Sequence, residues 1–133
     1  MTISIIRDTS GAMRHHVHIG PHVIAVDEPT AAGGEDSGPD PHDLYDAALG
    51  ACKALTTLWY AKRKGIPVAD IRVDVTRDAS QERQGSYRLD AKLTLGGDLS
   101  DEQKQELLRV ADKCPIHKLM TAVTTEVTTS LAE

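Results

Sequence analysis

Phenylalanine is absent from this chain of 133 residues, which has one tryptophan and three tyrosines. A core of that composition is aliphatic. No apolar run approaches the roughly 20 residues that a membrane-spanning helix requires. The N-terminal MTISIIRDTS lacks the basic, apolar and small-residue succession of a signal peptide, so the chain is expected to be cytoplasmic. Basic residues are outnumbered, 15 Lys and Arg against 20 Asp and Glu. A net charge of −5 argues against nucleic acid or anionic membrane as a partner, since both reward a basic face. The two cysteines stand 62 positions apart, too few for a disulfide scaffold, and a lasting bridge is not expected in a reducing compartment. Two readings stay open: two unrelated buried thiols, since free cysteine is among the most buried residue types, or a pair that cycles between reduced and oxidised forms.

The length and the 40% apolar content fit a single domain over residues 1–133. Its longest helical pattern is DPHDLYDAALGACKALTTLWYAKRKG, Asp40 to Gly65. Asp40 is a good N-cap, Pro41 suits the first helical position, and Gly65 followed by Ile66-Pro67 ends the run. Lys62, Arg63 and Lys64 crowd the last turn, where the helix dipole favours cations. Leu44, Ala48, Ala51, Cys52, Leu55, Leu58 and Trp59 recur at three- and four-residue spacing, which predicts an inward apolar stripe that includes Cys52. Ala47, Ala48, Gly50 and Ala51 leave the middle of the helix thin enough for close packing.

Around this helix, Thr2 to Arg7 reads as a strand, and Met13 to Ile19 with His22 to Val26 as a hairpin about Gly20-Pro21. Thr30 to Pro39 is a loop. Ile71 to Thr76 and Tyr87 to Leu95 alternate strictly and predict an antiparallel pair. Ser100 with Gln103 forms a capping box for a second helix, Asp101 to about Lys113, with Leu107, Leu108, Val110 and Ala111 facing the core. Ile116 to Met120 suits a further helical turn, and Ala122 to Thr129 a last strand. The order predicts an α+β domain with mostly antiparallel pairing. A long amphipathic helix in so small a chain leaves apolar surface for a twofold dimer.

Cys114 precedes Pro115 and so falls at a helix N-cap, where free N–H groups favour a thiolate, and Lys113 and Lys118 stand nearby. Local electrostatics therefore favour Cys114 as the more acidic thiol. Cys52 lies mid-helix in apolar company, where a thiolate needs a cation such as Arg14 or Arg7. Histidines form the rival constellation: His15, His16, His18 and His22 on the hairpin, His42 and His117 near the cysteines. His16 and His18 share a strand face, but the chain lacks the close CxxC or HxxxH pairs of a convincing zinc site, and a solvated polar hairpin face is the plainer reading.

The segments DEPTAAGGEDSGPDPHDLYDAALGAC, WYAKRKGIPV and GDLSDEQKQELLRVADKCPIHKLM resemble the OsmC/Ohr family, osmotically inducible protein C and organic hydroperoxide resistance protein. The resemblance runs from about His15 onward. Its most specific part is P-x-D-L-x-x-A-A-L-G-A-C on one helix combined with A-D-K-C-P at the end of another. It implies an OsmC-like fold and an intertwined homodimer whose interface sites reduce small hydroperoxides, organic ones preferred, with no metal, flavin or haem. It further implies that Cys52 is the peroxidatic thiol, oxidised to a sulfenic acid, and that Cys114 resolves it to a disulfide reduced by an external dithiol. Arg14, or Arg7, is the implied activator of Cys52.

One position departs from the family. Active members carry a glutamate directly after the helix-opening proline to hold the arginine; this chain has His42 there, with Asp43 next, pointing about 100° away around the helix. His42 lies roughly 15 Å along the helix from Cys52, so any help it gives to the thiol passes through the arginine or across the dimer. The chain is therefore expected to be a thiol-dependent peroxidase acting through Cys52, Cys114, Arg14 and His42 or Asp43. The alternative is a non-catalytic dimer binding a small apolar ligand or a partner in the same cleft.

Overall fold

A computed structural model describes residues 1–132. The chain divides into two compact units, Met1–Tyr45 and the remainder from Asp46.

The first unit is a three-stranded antiparallel sheet, β1 (Ile3–Arg7), β2 (His15–Ile19) and β3 (His22–Val26), in that order. Ile5 pairs with Val17 and Val17 with Ile24. Met13 and Arg14, expected within the strand, precede it: the Asp8 N–H donates to the Arg14 carbonyl at 2.9 Å and turns the chain there. The loop after β3 holds a single 3₁₀ turn, Thr30–Ala32, and is organised by the buried Asp27. That carboxylate accepts the backbone N–H groups of Glu28, Glu35 and Ser37 and the Ser37 hydroxyl. These donors, Ser37 foremost, draw its pKa down to about 2. Gly34 is required by this packing, because a Cβ there would lie 2.0 Å from the Glu28 carbonyl oxygen.

From Asp46 the chain contains most of α1 (Pro41–Lys64), the antiparallel pair β4 (Asp70–Asp78) and β5 (Arg88–Gly96), then α2 (Asp101–Asp112) and α3 (Pro115–Thr121). The predicted capping box of α2 is present, with Gln103 N–H on the Ser100 hydroxyl and Ser100 N–H on the Gln103 side chain. Ala61, Ile66 and Leu107 form the core, with Tyr60, Val68, Leu95 and Leu99 packed against them. Leu107 is fully buried.

Three expectations fail. The stripe predicted to face inward on α1 is only partly covered: Leu44, Cys52 and Leu58 are half-buried, but Ala48 and Ala51 are exposed, as are Leu55 at 68% and Trp59 at 59%. The buried face is instead Asp46, Leu49, Gly50, Lys53, Thr57 and Ala61. Its spacing is equally helical, and its two charged residues are tolerated there because each has a partner. Asp46 Oδ2 lies 2.6 Å from Arg77 Nε, and its Oδ1 accepts the Tyr87 hydroxyl at 2.7 Å. Burial and this carboxylate push the Tyr87 pKa up to about 12. Glycine at position 50 brings α1 close to β4, since a Cβ there would sit 2.9 Å from Val75 Cγ2. On α2, Leu107 and Ala111 are buried, but Leu108 is exposed and Val110 only half-buried. Finally, Ala122 to Thr129 forms no strand and is exposed throughout; β-branched composition alone does not make a strand without a neighbour to pair with.

Candidate thiol site

The second unit gathers a compact set of reactive groups where α1 meets the start of α3. Cys114 is the N-cap of α3, with extended backbone (φ −63, ψ 150) and Pro115 at the first helical position. Two residues on, the Ile116 N–H donates to Cys52 Sγ at 3.4 Å, which brings the inner thiol of α1 to the same helix start. The two thiols lie close enough to interact, and both are unbridged. Cys114 is fully buried and Cys52 partly so.

Burial is the largest influence on the Cys114 thiol and pushes its pKa up, and the Cys52 thiol adds to this. The His117 backbone N–H and the charge of Lys53 act in the opposite direction. The expectation that the helix N-cap makes Cys114 acidic is therefore reversed, because loss of hydration at a buried sulfur outweighs the donors of a short helix.

The apolar periodicity of α1 passes over Lys53. Adjacent helical positions point about 100° apart, so while Cys52 faces the start of α3, Lys53 enters the junction with the end of α2. It is 7% exposed. Its ammonium donates to the Ala111 carbonyl and to His117 Nδ1, each at 2.9 Å. An ammonium has only donors, so Nδ1 accepts. The run Leu49, Lys53, Thr57, Ala61 is a four-residue repeat visible in the sequence, and its single charge was the available signal. A cavity of about 180 Å³ opens beside this pair, lined by Leu49, Val73, Leu89, Leu93, Leu108, Asp90 and Asp112 among others.

The other anticipated residues belong to the first unit. Arg14 is paired there: its Nε lies 2.8 Å from Asp8 Oδ2, and its Nη2 donates to the Ser10 hydroxyl at 2.9 Å. Arg7 reaches the Ala12 carbonyl at 3.5 Å. His42 and Asp43 occupy the first turn of α1. Asp43 and Asp40 cap that turn reciprocally: Asp43 N–H donates to Asp40 Oδ1 at 2.8 Å and Asp40 N–H to Asp43 Oδ2 at 3.1 Å. Of the hairpin histidines, His15 Nδ1 contacts the Met13 carbonyl oxygen at 2.8 Å and His16 lies 3.9 Å from Asp8. Among the described residues no three His, Cys, Asp or Glu side chains assemble into a group able to hold a metal, and no helix is long and apolar enough to cross a membrane.

Residues 34–130 match the OsmC-like protein family. The chain belongs to that family. The match includes both cysteines, Lys53 and His117, and covers all of α1, α2 and α3. No curated protein sequence matches this OsmC-like chain, whereas solved structures do. An OsmC-like protein from Mycoplasma pneumoniae is 19% identical, with a TM-score of 0.73 over 92% of this chain and 87% of that one. The organic hydroperoxide resistance protein OhrB of Bacillus subtilis is 24% identical, with a TM-score of 0.60 over 92% of each chain. An organic hydroperoxide resistance protein OsmC from Legionella pneumophila is 20% identical, with a TM-score of 0.62 over 92% of this chain and 90% of that one. At these identities the likeness establishes the OsmC-like fold, a mixed α and β architecture of antiparallel sheets and three helices.

Proposed function

We propose that this OsmC-like protein is a cysteine-dependent peroxidase for small, fairly apolar hydroperoxides. The observation that carries the reading is the meeting of Cys52 and Cys114 at the start of α3, where one backbone donor already points at Cys52 Sγ. The Cys52 thiolate attacks the terminal oxygen of the hydroperoxide; the O–O bond breaks, and the departing alkoxide takes a proton and leaves as an alcohol. Cys52 is then a sulfenic acid. Cys114 attacks that sulfur, the S–S bond forms as the S–O bond breaks, and the hydroxyl leaves as water. An external dithiol returns both thiols. No metal or organic cofactor enters this cycle. To Arg14, with Arg7 as the alternative, we assign the guanidinium that serves the Cys52 thiolate, and to His42 or Asp43 its tuning.

The working form in this reading is a homodimer. Leu55 and Trp59 on α1 and Ile3, Ile5 and Ile6 on β1 are exposed, and clustered apolar surface of this kind supports association.

The test is the consumption of cumene hydroperoxide in the presence of a dithiol, with Cys52→Ser and Cys114→Ser alongside. Cys52→Ser is expected to lose all turnover; Cys114→Ser is expected to complete one oxidation and accumulate sulfenic acid. Turnover by Cys52→Ser at the parental rate would overturn the assignment. A second reading, a non-catalytic dimer that binds a small apolar ligand, is favoured by the leucine-lined cavity beside Lys53. It predicts undiminished ligand binding by Cys52→Ser and no peroxide turnover by the parent with any dithiol.

A further inference from the structure

Lys53 has no part in the cycle as described, yet it is a buried cation set among the atoms that hold Cys114. The Ala111 carbonyl accepts both the Lys53 ammonium at 2.9 Å and the Cys114 backbone N–H at 3.3 Å. His117 closes the circuit from the other side, with Nδ1 on the ammonium at 2.9 Å and its backbone N–H facing the Cys114 sulfur. The Lys53 charge is thus fixed relative to Cys114 by two contacts, one on each side of that residue. The charged groups that share its surroundings are Asp90 of β5 and Asp112 of α2, which line the same cavity but are themselves exposed, while His117 of α3 faces it as an acceptor. Water screens the two carboxylates far more than it screens a lysine that is 7% exposed.

We propose that Lys53 is a positioning residue for the resolving step, holding its charge beside Cys114 so that this buried thiol ionises when it attacks the Cys52 sulfenic acid. The inference rests on the peroxidase reading above for its place in the cycle. Attack needs the Cys114 thiolate, and burial opposes it. In the balanced step the Cys114 proton leaves with the sulfenic hydroxyl as water; Lys53 neither gives nor takes a proton, and His117 keeps the ammonium in place.

The decisive experiment separates the lysine from the peroxidase. In a Cys52→Ser background the remaining Cys114 is titrated by its ultraviolet thiolate absorbance, with and without Lys53→Met. Removing this neighbouring opposite charge is expected to raise the midpoint by about one pH unit or more. Lys53→Gln, which keeps a donor for the Ala111 carbonyl, takes the place of Lys53→Met if the latter does not fold, and Lys53→Arg, which keeps the charge, should move the midpoint least. In the protein with both cysteines, rapid mixing with one equivalent of cumene hydroperoxide then reads sulfenic acid and disulfide separately. The Lys53→Met disulfide step is expected to slow about threefold near neutrality relative to Cys52 oxidation, a tenfold loss of thiolate partly offset by its greater nucleophilicity. An unchanged Cys114 midpoint in both neutral variants would overturn the proposal. Absence of any sulfenic acid in the parent would instead overturn the peroxidase reading, and the titration would still decide whether Lys53 governs Cys114.

Discussion

The first unit holds its shape with polar contacts and almost no core, whereas the second buries aliphatic side chains as well as partnered charges. In the first, all five residues of β1 are exposed, and the buried positions are Gly11 and Asp27. In the second, β4 and β5 alternate between half-buried and exposed, and Leu107, Ala61 and Cys114 are sealed from water. The contrast teaches that a three-stranded sheet can be held by hydrogen bonds with little buried side chain, while both cysteines and Lys53 lie in the unit that has an interior of its own.

Leu107→Ala probes the second unit at its centre and is expected to destabilise the protein by about 2–5 kcal/mol, the usual cost of a cavity at a fully buried leucine, measured by denaturant unfolding. A loss below about 0.5 kcal/mol would mean that the core is not where burial places it. Trp59→Glu probes the outward stripe of α1. It is expected to convert a dimer to a monomer in sedimentation velocity with the fold retained by circular dichroism, and an unchanged dimer would exclude this face as the contact.

The smallest effect is a difference in pH response. Asp27 is drawn from an ordinary 3.8 to about 2, and Asp8 is lowered further by Ser10 and Arg14. Lowered carboxyl values contribute stability that is full above the ordinary value and lost as pH falls through the folded one. Cys114 and Tyr87 are raised, so their contribution is full below the ordinary thiol and phenol values and lost as pH climbs through the folded ones. The first unit should therefore weaken in acid and the second chiefly in alkali, with the Asp78 carboxyl, lowered by Ser80, adding an acid response to the second. Amide exchange followed across pH checks this; Asp27→Asn should reduce the acid response, and equal sensitivity of both units at both extremes would contradict it.

Much of the fold was legible because its signals are local. Asp40, Pro41 and Gly65 bound α1, Ser100 and Gln103 start α2, and strict alternation marks β4 and β5. The direction α1 faces is only partly legible: hydrophobicity selects the half-buried Leu44, Cys52 and Leu58 together with the exposed Leu55 and Trp59, while the most buried positions include Asp46 and Lys53, whose partners are Arg77, Tyr87 and His117. The Ala122 to Thr129 strand failed for a related reason, since pairing depends on a neighbour that no local pattern reveals. The two cysteines stand out through their motifs, but the raised Cys114 thiol and the lysine beside it depend on burial, which spacing along a chain does not report.

The most direct measurement is disulfide mapping by mass spectrometry after the reduced protein meets a slight excess of cumene hydroperoxide. One bridge is expected, Cys52 to Cys114, formed within each chain and reversed by a dithiol. Both thiols persisting in the reduced form under excess peroxide would contradict it.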